Sequence, residues 1–378
     1  MSTQVETPPA LERAREAARA LAAAAPEVDR DAAFPAASVA ALAEAGLLAA
    51  AVPERLGGGG LDPASMAAVS RALARGCTST AMVWAMHQVQ LACVAEHCRG
   101  EQRLEELLTG LAAENGLIAS VTSEVGVGGD LRSSKAACED DCDHVRLEKD
   151  APTVSYGAHA AAFLISARRG PESAPGDQVL ALATASQSQL RQKAEWNTMG
   201  MRGTCSPPFK VEARLPAEQV LPVPFGEIAA LTMVPLSHIL WSAVWIGTAE
   251  EALARATAYL RKKNSSDGAG LVGASERLQM LDGLLAATVE RYVTRVRPEG
   301  VATREFNVLV NNLKLAASTL SLEIATEALE VCGMAGYAEG SPFSISRIIR
   351  DLYSARLMIS NSRLVETNAI ALLLERYG

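Results

Sequence analysis

The feature that most constrains this fold is a change of periodicity that occurs twice along the chain. Residues 9–118 and 235–377 carry long apolar stretches with helical spacing, including an almost wholly apolar segment at 79–97. Between about 118 and 222 the apolar runs are short, partly alternate with polar residues, and are separated by Gly, Pro and Ser. Such runs are typical of strands, whereas apolar spacing of three and four residues is typical of helices.

The sequence therefore predicts a mainly α protein with a central β domain. We expect an N-terminal helical domain over residues 1–117, a small antiparallel β-barrel or sandwich over 118–222, and a C-terminal four-helix bundle over 223–378. Residues 153–168 are one of the segments with strand character, and the fourth helix of the bundle is expected over 343–377. Asp62 and Pro63 predict the start of one N-terminal helix, with Asp as the N-cap and Pro in the first turn.

Composition excludes several classes of protein. The 378 residues are 49% hydrophobic and 21% charged, which supports a large core and argues against disorder. A net charge of −8 without a basic run does not favour nucleic-acid binding. No uninterrupted apolar run reaches about 18 residues, so we expect no membrane span. The N-terminal MSTQVETPPA lacks the pattern of a signal peptide, and we expect a cytoplasmic protein.

The seven cysteines have irregular spacing and an odd count. Cys138, Cys142 and His144 lie close together in sequence, but no second Cys or His pair completes a metal site. We predict reduced thiols in a solvated loop and no metal.

Three segments carry a family resemblance. They are SVTSEVGVGGD at 120–130, WNTMGMRGTCS at 196–206, and ALEVCGMAGY at 328–337 followed by SRIIRD at 346–351. Together with the order of the domains, they resemble the acyl-CoA dehydrogenase superfamily of flavoproteins over nearly the whole chain. The first segment departs from the family pattern, with Val125 in place of Pro and Gly129 in place of Ser.

The resemblance implies one FAD per subunit. Small residues allow a backbone to approach a flat ring or a pyrophosphate closely, and hydroxyl groups can bond the polar edge of the ring. At a helix end, Arg261 either binds a phosphate or complements the helix dipole. The cofactor-binding residues that the resemblance implies are Ser120, Thr122, Ser123, Gly128, Gly129, Thr153, Ser155, Arg261, Gly333 and Asn361. The family also implies a homodimer or homotetramer.

The carboxylate that usually removes an α-proton in this family is missing from this sequence. Its usual position after the Arg350-Asp351 pair falls at Ile359 or Ser360, and its alternative position falls at Ser237 or His238. Three explanations remain open: an oxidation with a weaker demand for a base, oxygen chemistry on a reduced flavin, or a chain that no longer catalyses.

His238 is the candidate catalytic residue. On a helix, His238 shares one face with Trp241, Ser242 and Trp245, and a histidine among indoles can act as a neutral base. The alternative is a core histidine on an apolar helix.

The C-terminal pattern RDLYSARLMISNSRLVETNAIALLL also resembles a subgroup from polyketide and nonribosomal-peptide pathways. Members of that subgroup act on thioesters held by an acyl carrier protein, some of them oxidising a β-aldehyde to a carboxylate for malonyl-type extender units. The resemblance implies an oxidoreductase acting on a short acyl thioester, with an acyl carrier protein as partner. Ordinary α,β-dehydrogenation of an acyl-CoA, a flavin monooxygenase of the same fold, and a scaffold without cofactor remain alternatives.

Overall fold

The computed structural model describes residues 9–127, 130–265 and 268–374. Its first part consists of helices, as the sequence predicts. Their bounds are α1 Pro9–Asp31, α2 Ala36–Glu44, α3 Pro63–Ala74, α4 Thr78–His97 and α5 Gln102–Ala113. Helix α4 is buried on nearly all sides, which explains its lack of a polar face. The Asp62 side chain accepts a hydrogen bond of 2.8 Å from the Ser65 amide, which confirms the predicted N-cap of α3.

In the described residues, the central region has seven strands: β1 Ile118–Val121, β2 Glu139–Asp141, β3 His144–Ala151, β4 Ala162–Arg168, β5 Gln178–Thr184, β6 Ser188–Gln192 and β7 Phe209–Pro216. One sheet has the order β1-β4-β5 and the other the order β2-β3-β7-β6. Most pairs are antiparallel, as expected, but β1 and β4 are parallel. Residues 153–159, which the sequence places in a strand, form a loop and a short 3-10 turn that enters β4.

Helices return at α6 Phe225–Ile228, which passes through one π-helical turn into α7 Val234–Lys262. The bundle continues with α8 Val272–Arg291, α9 Arg297–Glu299, α10 Arg304–Cys332, α11 Met334–Tyr337, α12 Ser346–Tyr353 and α13 Asn361–Leu373. The fourth helix that the sequence predicts over 343–377 is therefore divided in two, because residues 354–360 form a 3-10 turn and a loop. The mainly α fold with a central β region is confirmed.

The segment Phe225–Lys262 is long and apolar enough to span a membrane by length and composition alone. Within its most apolar window, 72% of the residues are buried against the rest of the protein, as in the core helix of a bundle.

One junction joins the three parts of the chain. At the end of α1, Asp29 forms an ion pair with Arg350 of α12. The next residue, Asp351, is buried and accepts a hydrogen bond of 2.6 Å from the amide of Met201, between β6 and β7. Arg202 bonds the Asp29 carbonyl at 2.5 Å, so its guanidinium caps the end of α1. The junction places the β region against the bundle.

Candidate functional site

Hydroxyl groups of the β region form the first part of the site. The Ser120 and Thr122 hydroxyl oxygens lie 3.1 Å apart at the end of β1. Ser123 donates a hydrogen bond of 3.0 Å to the Thr153 carbonyl, so the structure brings these two predicted segments together. Two residues after Thr153, the Ser155 hydroxyl accepts a bond of 2.8 Å from Ser206, a residue of the WNTMGMRGTCS segment.

A buried carboxylate shapes the loop that follows Ser123. Glu124 accepts a hydrogen bond of 2.7 Å from the Ser134 hydroxyl and further bonds from the amides of Lys135 and Ala136. The Lys149 ammonium lies 3.6 Å away, and both charged side chains are almost fully buried. The Glu124 carboxylate thereby joins the beginning of the segment 124–136 to its end. The predicted residues Gly128 and Gly129 lie in this segment but outside the described residues.

The polar face of α7 forms the second part of the site. His238, Trp241, Ser242 and Trp245, at positions i, i+3, i+4 and i+7, share one face of the helix, as the sequence predicts. Each presents a buried polar atom without a hydrogen-bond partner in the described protein: Nε2, Nε1, Oγ and Nε1, respectively. Because buried polar groups of folded proteins are nearly always bonded, four adjacent exceptions indicate a face that binds a ligand.

The bond at the other ring nitrogen fixes the tautomer of His238. Nδ1 lies 3.3 Å from the Val310 carbonyl of α10, and a carbonyl can only accept a hydrogen bond. Nδ1 therefore carries the hydrogen, and Nε2 carries the lone pair. Burial, outweighing the bond to Val310, lowers the pKa of His238 to about 4, so the imidazole is neutral at pH 7. His238 therefore presents an unpartnered lone pair that can accept a hydrogen from a ligand hydroxyl group.

Lys314 and Asn361 lie beside this face. The Lys314 Nζ donates hydrogen bonds of 2.6 Å to the Asn361 Oδ1 and of 2.6 Å to the Ile359 carbonyl. It also lies 5.8 Å from the centre of the Trp245 ring, which links the loop before α13 to the polar face of α7.

Neither position of the family carboxylate holds an acid. Ile359 and Ser360 occupy the loop position, and Ser237 and His238 occupy the position on α7. Glu366, the next acid along the chain, is exposed on α13. The structure thus provides no carboxylate at either expected position.

An electrostatic interaction links the β region to α13, near Asn361. Arg132 and, more weakly, Arg363 of α13 lower the pKa of Asp130, which follows the glycine pair. Arg363, two residues after Asn361, is therefore within electrostatic range of Asp130.

Two predicted residues lie at the far end of the bundle. Arg261 is exposed at the end of α7, and Gly333 follows α10 with a φ of +53°. Gly333 lines a pocket of about 710 Å³ together with Lys262, Lys263 and Phe343. Because α7 has 29 residues, its two ends lie about 40 Å apart. A single chain therefore does not bring Arg261 and Gly333 to the His238 face.

The residues present fit the flavin that the resemblance implies. An isoalloxazine ring is flat and apolar with a polar edge. The β region offers a cluster of hydroxyl groups, and α7 offers a buried face with unpartnered polar atoms. Ser120, Thr122, Ser123 and Ser155 would bond the ring, with Asn361 on the helical side.

Sequence reasoning missed Glu124, Lys149 and Lys314. Lys314 falls at helical spacing among the buried residues Val310, Leu313 and Ala317, and a lysine on an apolar stripe is an available signal. Glu124 and Lys149 are 25 residues apart in sequence and come into contact only in the folded protein, where β3 lies next to the loop that follows Ser123. No local sequence pattern therefore predicts that they are partners.

Comparison with known proteins gives consistent matches over the chain. Residues 10–115 match the family model described as acyl-CoA dehydrogenase, N-terminal domain. Residues 228–358 match the one described as acyl-CoA dehydrogenase, C-terminal domain, and the two matches cover more than half of the chain.

Similar proteins include the probable acyl-CoA dehydrogenase FadE25 of Mycobacterium tuberculosis, 25% identical over 89% of this chain and 86% of that protein. The short-chain specific acyl-CoA dehydrogenase of human mitochondria is 27% identical over 84% of this chain and 77% of that protein.

Solved structures share the fold. Butyryl-CoA dehydrogenase from Megasphaera elsdenii superposes with a TM-score of 0.84 at 20% identity, covering 99% of this chain and 100% of that one. FMN-bound TdsC from Paenibacillus gives a TM-score of 0.84 at 20% identity, covering 98% of each chain. TdsC is described as a dibenzothiophene monooxygenase.

Proposed function

Because the chain belongs to the acyl-CoA dehydrogenase family of flavin-dependent oxidoreductases, we propose that it oxidises a short acyl thioester with His238 as the proton acceptor. The proposed substrate is held by an acyl carrier protein and carries a β-aldehyde, which becomes the carboxylate of a malonyl-type unit. The observation that carries this proposal is the unpartnered lone pair of His238 Nε2, next to positions that hold no carboxylate.

The chemistry of the substrate matches this arrangement. A bound flavin supplies an acceptor for an electron pair. Removing an α-proton from a thioester requires a well-placed base, because the carbon acid is weak. The hydrate of an aldehyde instead loses its C–H hydrogen as a hydride, together with one hydroxyl proton, as its carbon becomes a carboxyl group. With the flavin as the hydride acceptor, the protein would need to supply only an acceptor for the hydroxyl proton. A histidine with a pKa of about 4 suits that weaker demand.

The cofactor in this proposal is FAD, held by residues from two subunits. The hydroxyls of Ser120, Thr122, Ser123 and Ser155, together with Asn361, bind the ring. Arg261 and Gly333, at the far end of the bundle, hold the dinucleotide of a second copy in a homodimer or homotetramer. The distance between the ends of α7 supports a second copy as the recipient.

The first test is the absorption spectrum of the purified protein, followed anaerobically after mixing with β-aldehyde thioesters on a carrier protein and on CoA. Loss of the flavin band with the carrier-bound thioester is expected, with a weaker response to the CoA thioester. A band that neither β-aldehyde thioester bleaches would overturn the proposed substrate.

His238 can be tested apart from its packing. His238→Gln places an acceptor oxygen near the position of Nε2 but cannot take up a proton. We expect flavin to be retained and single-turnover reduction to be slower by about 10²–10⁴-fold. His144→Ala, at the start of β3, is the control and should reduce at the rate of the unmodified protein. Near-normal reduction in His238→Gln would exclude His238 as the proton acceptor.

A flavin monooxygenase of the same fold is the second candidate. The missing carboxylate favours it equally, because oxygen chemistry needs no α-proton abstraction. For a monooxygenase, we expect thioesters to leave the flavin absorption band unchanged and an external reductase to bleach it. The band should then return as oxygen is consumed.

A further inference from the structure

Lys314 is a charged side chain in the bundle that the proposed reaction does not use. None of it is exposed to solvent, and its position on α10 lies one turn after Val310. Its two hydrogen-bond acceptors are neutral oxygens, and no ion pair with a carboxylate is found for it in the described ranges. A buried ammonium with neutral partners is weak support for stability, since an apolar side chain of similar size would serve as well.

The first neutral oxygen belongs to a strained residue. Ile359 has a φ of +52°, in the left-handed region that a β-branched residue rarely adopts and that costs about 1–3 kcal/mol. The bond from Lys314 to the Ile359 carbonyl offsets that strain. The second oxygen belongs to Asn361, whose amide also donates a bond of 3.0 Å to Ser318 of α10. The loop before α13 is thus fixed to α10 at two residues.

The Lys314 ammonium also interacts with side chains of α7. It lies over the face of Trp245, and its charge disfavours the protonated form of His238, adding to the larger effect of burial. Among the described residues that act on the His238 imidazole, Lys314 supplies the charge and Val310 supplies a carbonyl that opposes it. Lys314 therefore lies between the strained loop and the proposed proton acceptor.

We propose that Lys314 is a positioning residue of this site, which fixes the 357–361 loop against α10 and places a positive charge beside the face of α7 that carries His238. Its significance for catalysis rests on the proposed function, but both effects exist in the protein without substrate. At neutral pH the side chain is charged, although burial lowers its pKa to about 8.

The test compares Lys314→Met with Lys314→Arg in the intact protein. Amide hydrogen exchange reports the loop, and the proton NMR titration of the histidine rings reports His238, whose signal is identified by its absence in His238→Gln. In Lys314→Met we expect exchange across 357–361 to be at least about tenfold faster, because the loop loses an anchor. The His238 midpoint should move upward in Lys314→Met and stay in place in Lys314→Arg.

Ser318→Ala separates the two effects. It removes a bond to Asn361 without changing the charge, so the loop should exchange faster while the His238 midpoint is unchanged. If Lys314→Met does not fold, Lys314→Gln provides the same change of charge with one donor retained. An unchanged midpoint and unchanged loop exchange in either variant would overturn the proposal. Failure of the proposed function would instead appear as near-normal flavin reduction in His238→Gln, with the Lys314 results intact.

Discussion

At the residue scale, Glu124 shows how one carboxylate organises a binding loop. Burial alone would raise its pKa, but the Ser134 hydroxyl, the Lys149 ammonium and two backbone amides hold that pKa below its usual value. Charged and fully bonded, Glu124 draws together two ends of a segment that contains the glycine pair. The next two residues, Val125 and Gly126, are exposed in the turn and have no carboxylate that could make these bonds.

Glu124→Gln is expected to weaken both the fold and cofactor retention. The buried Lys149 ammonium would lose its counter-charge, and breaking such a pair costs about 3–5 kcal/mol. Denaturant unfolding would measure the loss of stability, and dialysis followed by absorbance would measure loss of flavin. Glu148, next to Lys149 on β3, forms an exposed ion pair with Lys210 of β7, and Glu148→Gln should change stability by less than about 1 kcal/mol. Equal effects of the two variants would contradict this role.

At the element scale, close packing of α7 positions the polar face. Gly247 lies in the middle of that helix, and a Cβ there would meet the Arg71 carbonyl oxygen of α3 at 2.2 Å. Glycine therefore permits the backbones of α3 and α7 to approach. The ion pair between Arg71 and Glu250, at 2.6 Å, lies one turn further along the same contact.

Gly247→Ala is expected to force α3 and α7 apart and to destabilise the protein by about 1–3 kcal/mol, the usual range for overpacking. The matched control is Gly283→Ala in the interior of α8, where a Cβ would have no heavy atom within 4 Å. That variant should gain about 0.5–1 kcal/mol, since alanine favours a helix over glycine. Urea unfolding of the two variants checks both signs, and a stabilising Gly247→Ala would refute the close-packing argument.

At the scale of the whole molecule, the junction around Asp351 connects the N-terminal helices, the β region and the C-terminal bundle. Asp351 is fully buried and bonds the Met201 amide, while a Cβ at Gly200 would lie 2.1 Å from the Arg350 carbonyl oxygen. Burial raises the pKa of Asp351 to about 6, with the bond to Met201 opposing it. The folded protein thus keeps a proton on Asp351 at a pH where the unfolded chain has released it.

The sign of the pH dependence follows from this shift. Between the ordinary value of 3.8 and about 6 the folded state binds more protons, so the contribution of Asp351 to stability falls as pH rises. Asp351→Asn cannot ionise and keeps an acceptor for the Met201 amide. Relative to the unmodified protein, it should gain about 2 kcal/mol in unfolding free energy between pH 4 and pH 7. Parallel stability curves for the two proteins would contradict the assignment.

The sequence by itself determined the order of elements and one face of the site. Apolar spacing predicts the helices, the alternating short runs predict the β region, and helical spacing alone places His238 with Trp241, Ser242 and Trp245. These features depend on residues close in sequence, so a local pattern carries them. The helix break at 354–360 and the parallel pairing of β1 with β4 have no comparable local signal.

Only the tertiary structure decided the partners and the states of the charged groups. Lys314 meets Ile359 and Asn361, more than 40 residues further along the chain, and Glu124 meets Lys149 across a loop. The tautomer of His238 depends on a carbonyl of another helix. Burial and hydrogen bonds between distant segments set these properties, and they exist only once the β region and the bundle have packed together.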